Sequence, residues 1–212
     1  MIDTVRKTKM KTATRSRSLA FCGLTIALMA VSAWISIPLG PVPFTLQTFV
    51  MVFALIALTP GQCLASIGGY LLIGAIGVPV FSSMRGGIGV LLGPTGGFLW
   101  GYLIGAAVAL VLLRAFDHGR AFSARKGEGN PSKDAPLRAA SRQGRFTIAA
   151  SFAAALLFIV IMYACGWAQY MAVSGMGPEA SFATAVAPFI VVDLVKTVVG
   201  VFTARAVRRA IR

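Results

Sequence analysis

Long apolar runs recur along almost the whole chain, and they restrict the folds open to it more than any other feature. Several runs approach the length of about 20 residues that an α-helix needs to cross a bilayer. Hydrophobic residues make up 57% of the sequence and charged residues only 12%, which leaves too little polar surface to cover a soluble domain of this size. The sequence therefore predicts an integral membrane protein without a sizeable soluble domain.

Glycine, proline and charged residues divide the apolar sequence into six segments, each predicted to be a transmembrane helix. The predicted spans are residues 19–37, 45–59, 61–80, 94–116, 145–170 and 184–207. The second is short and the third is rich in glycine, so these two helices are expected to be tilted, bent or partly buried against neighbours. The predicted fold class is an all-α membrane protein with a bundle of six transmembrane helices.

Basic residues are concentrated in the polar stretches that flank these segments. Eighteen of the 20 Lys and Arg residues lie before residue 18, between residues 114 and 145, or after residue 204. Cytoplasmic loops carry such an excess of basic charge, which predicts an even number of helices with both termini in the cytoplasm. The net charge of +14 thus marks one membrane face and does not indicate a nucleic-acid partner.

The polar stretches are predicted to be accessory to a single membrane domain. Residues 1–18 are interpreted as a basic cytoplasmic arm and residues 19–212 as the six-helix domain. Residues from about 117 to 144 are polar and lack apolar periodicity, which is typical of a flexible cytoplasmic linker. A tether that fixes topology explains this linker better than a specific binding site does.

Two charged residues lie inside the last apolar segment, where ionisable side chains are costly and usually functional. Asp193 and Lys196 are three residues apart and share a helical face, which Thr197 and Gly200 extend. If Pro188 lies in the first turn, Asp193 lies about 7–8 Å below the outer end. The pair is then expected to line a cavity that opens outward. The alternative is that the two charges only neutralise each other and hold the bundle together.

Arg85 is the other basic residue outside the three clusters, and it stands in a glycine-rich stretch before the fourth segment. Glycine lets a backbone approach a ligand closely, and a guanidinium group can hold a carboxylate through paired hydrogen bonds. Arg85, together with backbone amides of Gly86 and Gly87, is therefore a candidate site for a carboxylate. The alternative is an arginine near lipid headgroups, with glycines that serve only helix packing.

Polar and aromatic residues near the ends of two other segments give weaker signals. Gln47 offers hydrogen bonds at the start of the second segment, although a helix-capping turn explains it equally well. Three aromatic residues of the fifth segment form one stripe, which indicates interfacial anchoring more than an apolar wall for a ligand. They are Tyr163, Trp167 and Tyr170.

Small residues recur at steps of three and four along the first segment. The stripe consists of Ala20, Gly23, Ala27 and Ala30. Such a stripe lets another helix approach closely within a membrane. The pattern does not decide whether the partner helix belongs to this chain or to a second subunit.

Several common kinds of site have no signature in this sequence. No nucleotide-binding loop of the form G-x-x-x-x-G-K-[ST] occurs, which excludes ATP hydrolysis by that route. The single histidine, His118, lies in the predicted linker, too isolated for a metal site or a catalytic triad. The sequence predicts no enzyme activity, no metal and no resident cofactor.

Three runs of the sequence together resemble a known family. They are IPLGPVPFTLQTF, GVPVFSSMRGGIGVLLGPTGGFLWGY and VVDLVKTVVG. These runs are similar to those of the biotin-specific S components, the BioY family, of energy-coupling-factor (ECF) vitamin transporters. The likeness covers nearly the whole sequence from Leu19 onward, and GGIGVLLGPTGG is its most specific part.

The resemblance implies a six-helix subunit of the bacterial cytoplasmic membrane that captures biotin from outside. Such subunits work with a transmembrane coupling protein, which would contact the small-residue stripe of the first segment, and with two cytoplasmic ATPases. The resemblance also implies that Asp193 and Lys196 bind polar groups of biotin, and that Arg85 falls in a loop contributing to the pocket. Three alternatives stay open: an S component for another vitamin, a self-sufficient transporter, and a structural protein whose charged pair is only a clamp.

Overall fold

The described part of the protein is built from α-helices and one small β-ribbon. A computed structural model describes residues 2–38, 40–127 and 147–210, with side chains for 15–38, 40–116 and 147–210. The helices in these ranges are α1 Ile2–Trp34, α2 Gln47–Ala57, α3 Pro60–Ala75, α4 Ile88–Leu92, α5 Gly96–Gly127, α6 Ile148–Ser174, α7 Pro178–Ala185 and α8 Ala187–Ala210. The ribbon pairs β1 (Ser36–Ile37) with β2 (Phe44–Thr45) in antiparallel fashion, and a 3-10 turn covers Ser82–Met84. The expected helical class is confirmed.

Within the described ranges, four helical stretches are long and apolar enough to cross a membrane. They are Arg15–Trp34, Gly96–Phe116, Ile148–Ser174 and Ala187–Ala210. The chain is therefore a multi-pass membrane protein. Helices α2 and α3 have 11 and 16 residues, so at about 1.5 Å per residue both fall short of a hydrocarbon core of about 30 Å. The four spans alone do not establish the six crossings that the sequence predicts.

Two of the predicted polar regions are partly helical, which corrects the sequence-based boundaries. Helix α1 begins at Ile2 rather than near residue 19, so the basic arm continues the first membrane helix. Helix α5 runs on to Gly127, so the predicted linker begins as a helix, and residues 128–144 lie outside the described ranges. Both extensions contain good helix formers and no proline, so nothing in them stops a helix that the apolar segment has already nucleated.

Local capping signals set the ends of two helices. Thr59 and Gln62 form a reciprocal capping box at the start of α3. Helix α3 then ends at Ala75 rather than at residue 80, and Gly77 adopts a φ of 109° just beyond it, a conformation that favours glycine. Thr147 caps α6, which therefore starts at residue 148 and not at 145.

Close helix packing brings the cavity-forming helices together. Helices α5 and α6 make the most extensive contact between elements, because three glycines of α5 let α6 approach. A Cβ atom at any of them would lie within 2.9 Å of an atom in α6, and they are Gly97, Gly101 and Gly105. Helix α8 packs on α2 in a similar way, with Gly200 against Phe49 and Val52.

Candidate functional site

A cavity lies among α2, α5, α6 and α8 and is bordered by the β-ribbon and by the turn that begins at Ser82. The space that it encloses together with the solvent-filled mouth is about 630 Å³. Aromatic side chains such as Phe44, Phe98 and Phe189 form much of its wall. Polar and charged groups reach the same space from several elements, as is typical of a ligand pocket.

The charged pair predicted from the sequence lies in the wall of this cavity. Lys196 Nζ is 2.9 Å from Asp193 Oδ1, and the two residues are only 8% and 5% exposed. Lys196 also donates a hydrogen bond to the backbone carbonyl of Thr45 at 2.6 Å and lies 3.7 Å from the centre of the Phe44 ring. The pair therefore lines the cavity and also ties α8 to the β-ribbon.

Helix α8 positions both charges as their spacing predicts. The helix begins at Ala187 rather than at residue 184, so Pro188 lies in its first turn. The buried face of α8 includes Asp193, Lys196, Thr197 and Gly200. The Thr197 hydroxyl donates to the backbone carbonyl of Asp193 at 2.6 Å, so the face is held by local bonds as well as by packing.

A tyrosine of α6 completes the hydrogen bonding of the buried carboxylate. Tyr163 OH donates to Asp193 Oδ2 at 2.6 Å, so each carboxylate oxygen accepts one bond and keeps a second lone pair. The prediction of an interfacial aromatic stripe is wrong for Tyr163, which lines the cavity, and for Tyr170, which is 3% exposed. Trp167 is half-buried and donates to the carbonyl of Pro178 at 3.1 Å. The stripe faces the protein because the glycines of α5 draw α6 inward.

Gln47 lies in the cavity wall within a buried network of hydroxyl groups. Its Nε2 donates to Tyr70 OH at 2.6 Å, Tyr70 OH donates to the carbonyl of Val80 at 2.9 Å, and Tyr102 OH donates to Gln47 Oε1 at 3.5 Å. Gln47 is therefore a cavity residue and not a helix cap. Tyr70 and Tyr102 have only a weak sequence signal: each is a tyrosine within an apolar run, and its hydroxyl needs a partner.

Arg85 borders the cavity, whereas the two glycines after it do not fill the predicted role. The Arg85 side chain is exposed, and its Nε donates to the carbonyl of Ser82 at 3.3 Å. Of the described residues that line the cavity, none is Gly86 or Gly87. A Cβ at Gly86 would lie 2.4 Å from a backbone carbonyl, and the Gly87 amide donates to Gly74 O at 2.7 Å. Gly86 packs against the segment just after α3 and Gly87 bonds to α3 itself, so the structure does not place these glycines in the cavity wall, where the sequence predicted their amides to serve a ligand.

The small-residue stripe of α1 forms an exposed face. Ala20, Gly23 and Ala27 are exposed, and a Cβ at Gly23 would meet no atom within 4 Å. Ala30 is only 6% exposed and packs inside the protein, so it does not belong to the open face as the sequence suggested. The remaining three residues leave room for the close approach of another helix.

The described side chains contain no group of three or more His, Cys, Asp or Glu residues that could hold a metal ion. His118 lies outside the described side chains. The cysteines, Cys22, Cys63 and Cys165, are free thiols.

Comparisons with known proteins agree with the family resemblance. The sequence matches the BioY family over residues 6–212. It is 30% identical over 190 residues to a probable biotin transporter of Pyrococcus horikoshii, an alignment covering 90% of this chain and 95% of that protein. It is 33% identical over 207 residues to a biotin transporter of Rhodobacter capsulatus, covering 90% and 93%. With a biotin transporter of Thermotoga maritima the identity is 49% over 92 residues, which span 43% of this chain and 54% of that protein.

The three-dimensional fold is also shared with a solved structure. The crystal structure of the S component for biotin from an ECF-type ABC transporter matches with a TM-score of 0.72 over 93% of both chains, at 21% sequence identity. The helical arrangement is thus that of an S component. Because the family match extends over nearly the whole sequence, the chain belongs to the BioY family.

Proposed function

We propose that this chain is the biotin-binding membrane subunit of an ECF-type transporter and captures biotin from outside the cell. The biotin transporters among its relatives support this function. As a member of a transporter family, the chain is not an enzyme. The observation that carries the proposal is the buried Asp193–Lys196 pair facing the cavity, because charges inside membrane helices are usually kept for function.

Biotin offers chemical groups that complement this cavity. Its ring body is apolar enough to pack on the aromatic wall, and its ureido group presents two N–H donors and one carbonyl acceptor. A free lone pair of the Asp193 carboxylate would accept a hydrogen bond from a ureido N–H, and Lys196 would donate one to an oxygen of the ligand. Gln47 can donate or accept a hydrogen bond. Arg85, at the cavity border, would meet the carboxylate tail.

The membrane topology that we propose has six crossings with both termini in the cytoplasm. The shorter helices α2 and α3 would supply two crossings beside the four spanning helices. The three basic clusters would then lie on the cytoplasmic side of the bacterial inner membrane. Single cysteines replacing Glu179 and Arg209 in a cysteine-free variant test this topology. An impermeant thiol reagent should reach the first only from outside and the second only from inside, and labelling of both from one side would contradict it.

Separate subunits would energise uptake. Because the sequence lacks a nucleotide-binding loop, ATP would act only on two partner ATPases, linked to this chain by a transmembrane coupling protein. The exposed face of Ala20, Gly23 and Ala27 on α1 is the surface we propose for the coupling protein. Biotin is the transported ligand, and no resident cofactor is proposed.

Two other functions would use the same cavity and membrane fold. An S component for a different vitamin would lose bound radiolabelled biotin to that vitamin in a competition assay. A self-sufficient transporter would accumulate biotin in proteoliposomes that contain this chain alone, whereas the proposed function requires the ATPase module for uptake.

Titration of the purified chain with biotin tests the ligand role of the charged pair. A hydrogen bond to a charged group contributes about 1.5–3 kcal/mol, so Asp193→Asn should weaken biotin binding about tenfold or more. Asparagine has nearly the same shape as aspartate, which separates the loss of charge from a loss of packing. An affinity equal to that of the wild type would remove Asp193 from the binding site.

A further inference from the structure

The Ser82 hydroxyl is an unusual feature of the cavity wall. Across residues 15–38, 40–116 and 147–210, Ser82 Oγ is the buried side-chain polar atom that has no hydrogen-bond partner, and Ser82 lines the cavity. Buried polar groups almost always have a partner, and leaving one without a partner is costly. A partner supplied by a ligand would remove that cost.

The turn that carries Ser82 is held firmly from behind. Phe81 is only 1% exposed, its ring meets the Tyr70 ring edge-on at 5.4 Å, and it fills the space where a Cβ of Gly74 would be. The Phe81 amide also donates to the carbonyl of Arg85 at 2.9 Å. Ser82 and Arg85 are therefore fixed relative to each other on a closed turn.

The same turn contains backbone strain. Ser83 and Met84 have φ angles of 58° and 55°, in the left-handed region that residues other than glycine rarely occupy. Strain of this kind persists only where the surrounding structure enforces it, and it is concentrated at functional sites. Here it bends the chain so that the residues on both sides of it, Ser82 and Arg85, border the cavity.

The charges around the cavity indicate which chemical group this turn would bind. Asp193 and Lys196 neutralise each other at 2.9 Å, so Arg85 leaves the described lining with a net charge of +1. The Nε of Arg85 is bonded to the Ser82 carbonyl, while its two terminal nitrogens contact no acceptor among the described residues. A guanidinium fork beside a free hydroxyl is a donor set that suits a carboxylate.

We propose that Ser82 and Arg85 form an anion-binding end of the cavity, in which the Ser82 hydroxyl donates to one oxygen of the ligand's carboxylate and the Arg85 guanidinium binds the other. This assignment rests on the proposed function, because it concerns the tail of the same ligand whose polar head meets Asp193 and Lys196. The cavity then selects a monoanion with an uncharged hydrogen-bonding body and discriminates against neutral analogues.

Binding of biotin and of biotin methyl ester, which lacks the charge on the tail, tests the anion-binding end. Wild-type protein should bind the ester about tenfold or more weakly than biotin. Ser82→Ala and Arg85→Gln should each weaken biotin binding about tenfold and leave ester binding nearly unchanged. Arg85→Lys should fall between the wild type and Arg85→Gln, because lysine keeps the charge and loses the fork. Ser174→Ala, at an exposed serine outside the cavity, should bind both ligands as the wild type does.

Four results would overturn the assignment, and each identifies which premise is wrong. If Ser82→Ala binds biotin as tightly as the wild type, the hydroxyl does not contact the ligand. If Ser82→Ala weakens biotin and ester equally, Ser82 only supports the turn. If the wild type binds biotin and ester equally, the anion-binding end is wrong while the proposed function stands. A wild type that binds neither ligand would refute the proposed function, and this assignment with it.

Discussion

Removal of the Lys196 ammonium group is the perturbation for which the structure gives the clearest expectation. In Lys196→Met, the Asp193 carboxylate stays buried and keeps only the hydrogen bond from Tyr163. Breaking a buried ion pair by removing one partner typically costs about 3–5 kcal/mol, because the other charge is left uncompensated. The hydrogen bond from Lys196 to the Thr45 carbonyl, 2.6 Å long, is lost as well. Lys196→Met should therefore be strongly destabilised.

The double variant Asp193→Asn/Lys196→Met separates stability from ligand binding. It removes both charges together, and replacement of a whole buried pair is often neutral for stability. The double variant should thus unfold near the wild-type temperature in detergent, whereas each single variant should unfold at a lower temperature. The difference between the double variant and the sum of the single variants measures the coupling between Asp193 and Lys196. Biotin binding should nevertheless be weakened about 100-fold or more, since two hydrogen bonds to charged groups are lost.

The assay is thermal unfolding and biotin titration of the wild type, the two single variants and the double variant. A double variant that is stable and fails to bind biotin assigns the pair to the ligand. A double variant that is stable and binds biotin like the wild type would refute this reasoning, because the pair would then be only a clamp between α8 and the β-ribbon.

Three further predictions concern the tyrosine, the glycines of α5 and the exposed face of α1. Tyr163→Phe should weaken biotin binding about tenfold by removing the hydroxyl that orients the carboxylate, while Tyr170→Phe on the same helix should not. Equal affinities in the two variants would contradict this role. Gly101→Ala places a Cβ 2.8 Å from an α6 backbone atom and should lower stability by about 1–3 kcal/mol. Gly68→Ala is the control, because open space surrounds its Cβ, and it should not lower the unfolding temperature. If Gly101→Ala and Gly68→Ala unfold at the same temperature, Gly101 has no packing role. Gly23→Leu should keep biotin binding and abolish copurification with the coupling protein. An intact complex would show that the coupling protein binds to another surface of the chain.

The charged pair of α8 could be predicted from the sequence because its evidence is local. The spacing of Asp193 and Lys196 fixes their common face in any α-helix, and the cost of charge inside a membrane makes that face point toward protein. The ribbon carbonyl of Thr45, which accepts from Lys196, is distant in sequence. No local pattern indicates it.

The role of Tyr163 could not be predicted either, because the contact that decides it is distant in sequence. From the sequence alone, the stripe that contains it favours a membrane interface over a cavity wall. Which of these it faces depends on the tight contact of α6 with Gly97 and Gly101 of α5. The rotation of one helix is thus set by small residues on another.

The turn after α3 was only partly predictable. Its glycines marked a break in the helix, and Arg85 stood out because the other basic residues are clustered. No sequence signal indicates that Ser83 and Met84 adopt left-handed backbone conformations, since neither is a residue that favours them. Those angles turn the chain between Ser82 and Arg85, and both of these residues line the cavity.

The most direct test of the central claim is a calorimetric titration of the purified wild-type chain, without any partner subunit, with biotin. We expect saturable binding of one biotin per chain, because described residues of this chain line the cavity and supply its charged and polar groups. Absence of binding in folded protein, or binding that persists unchanged when Asp193 and Lys196 are both replaced, would contradict it.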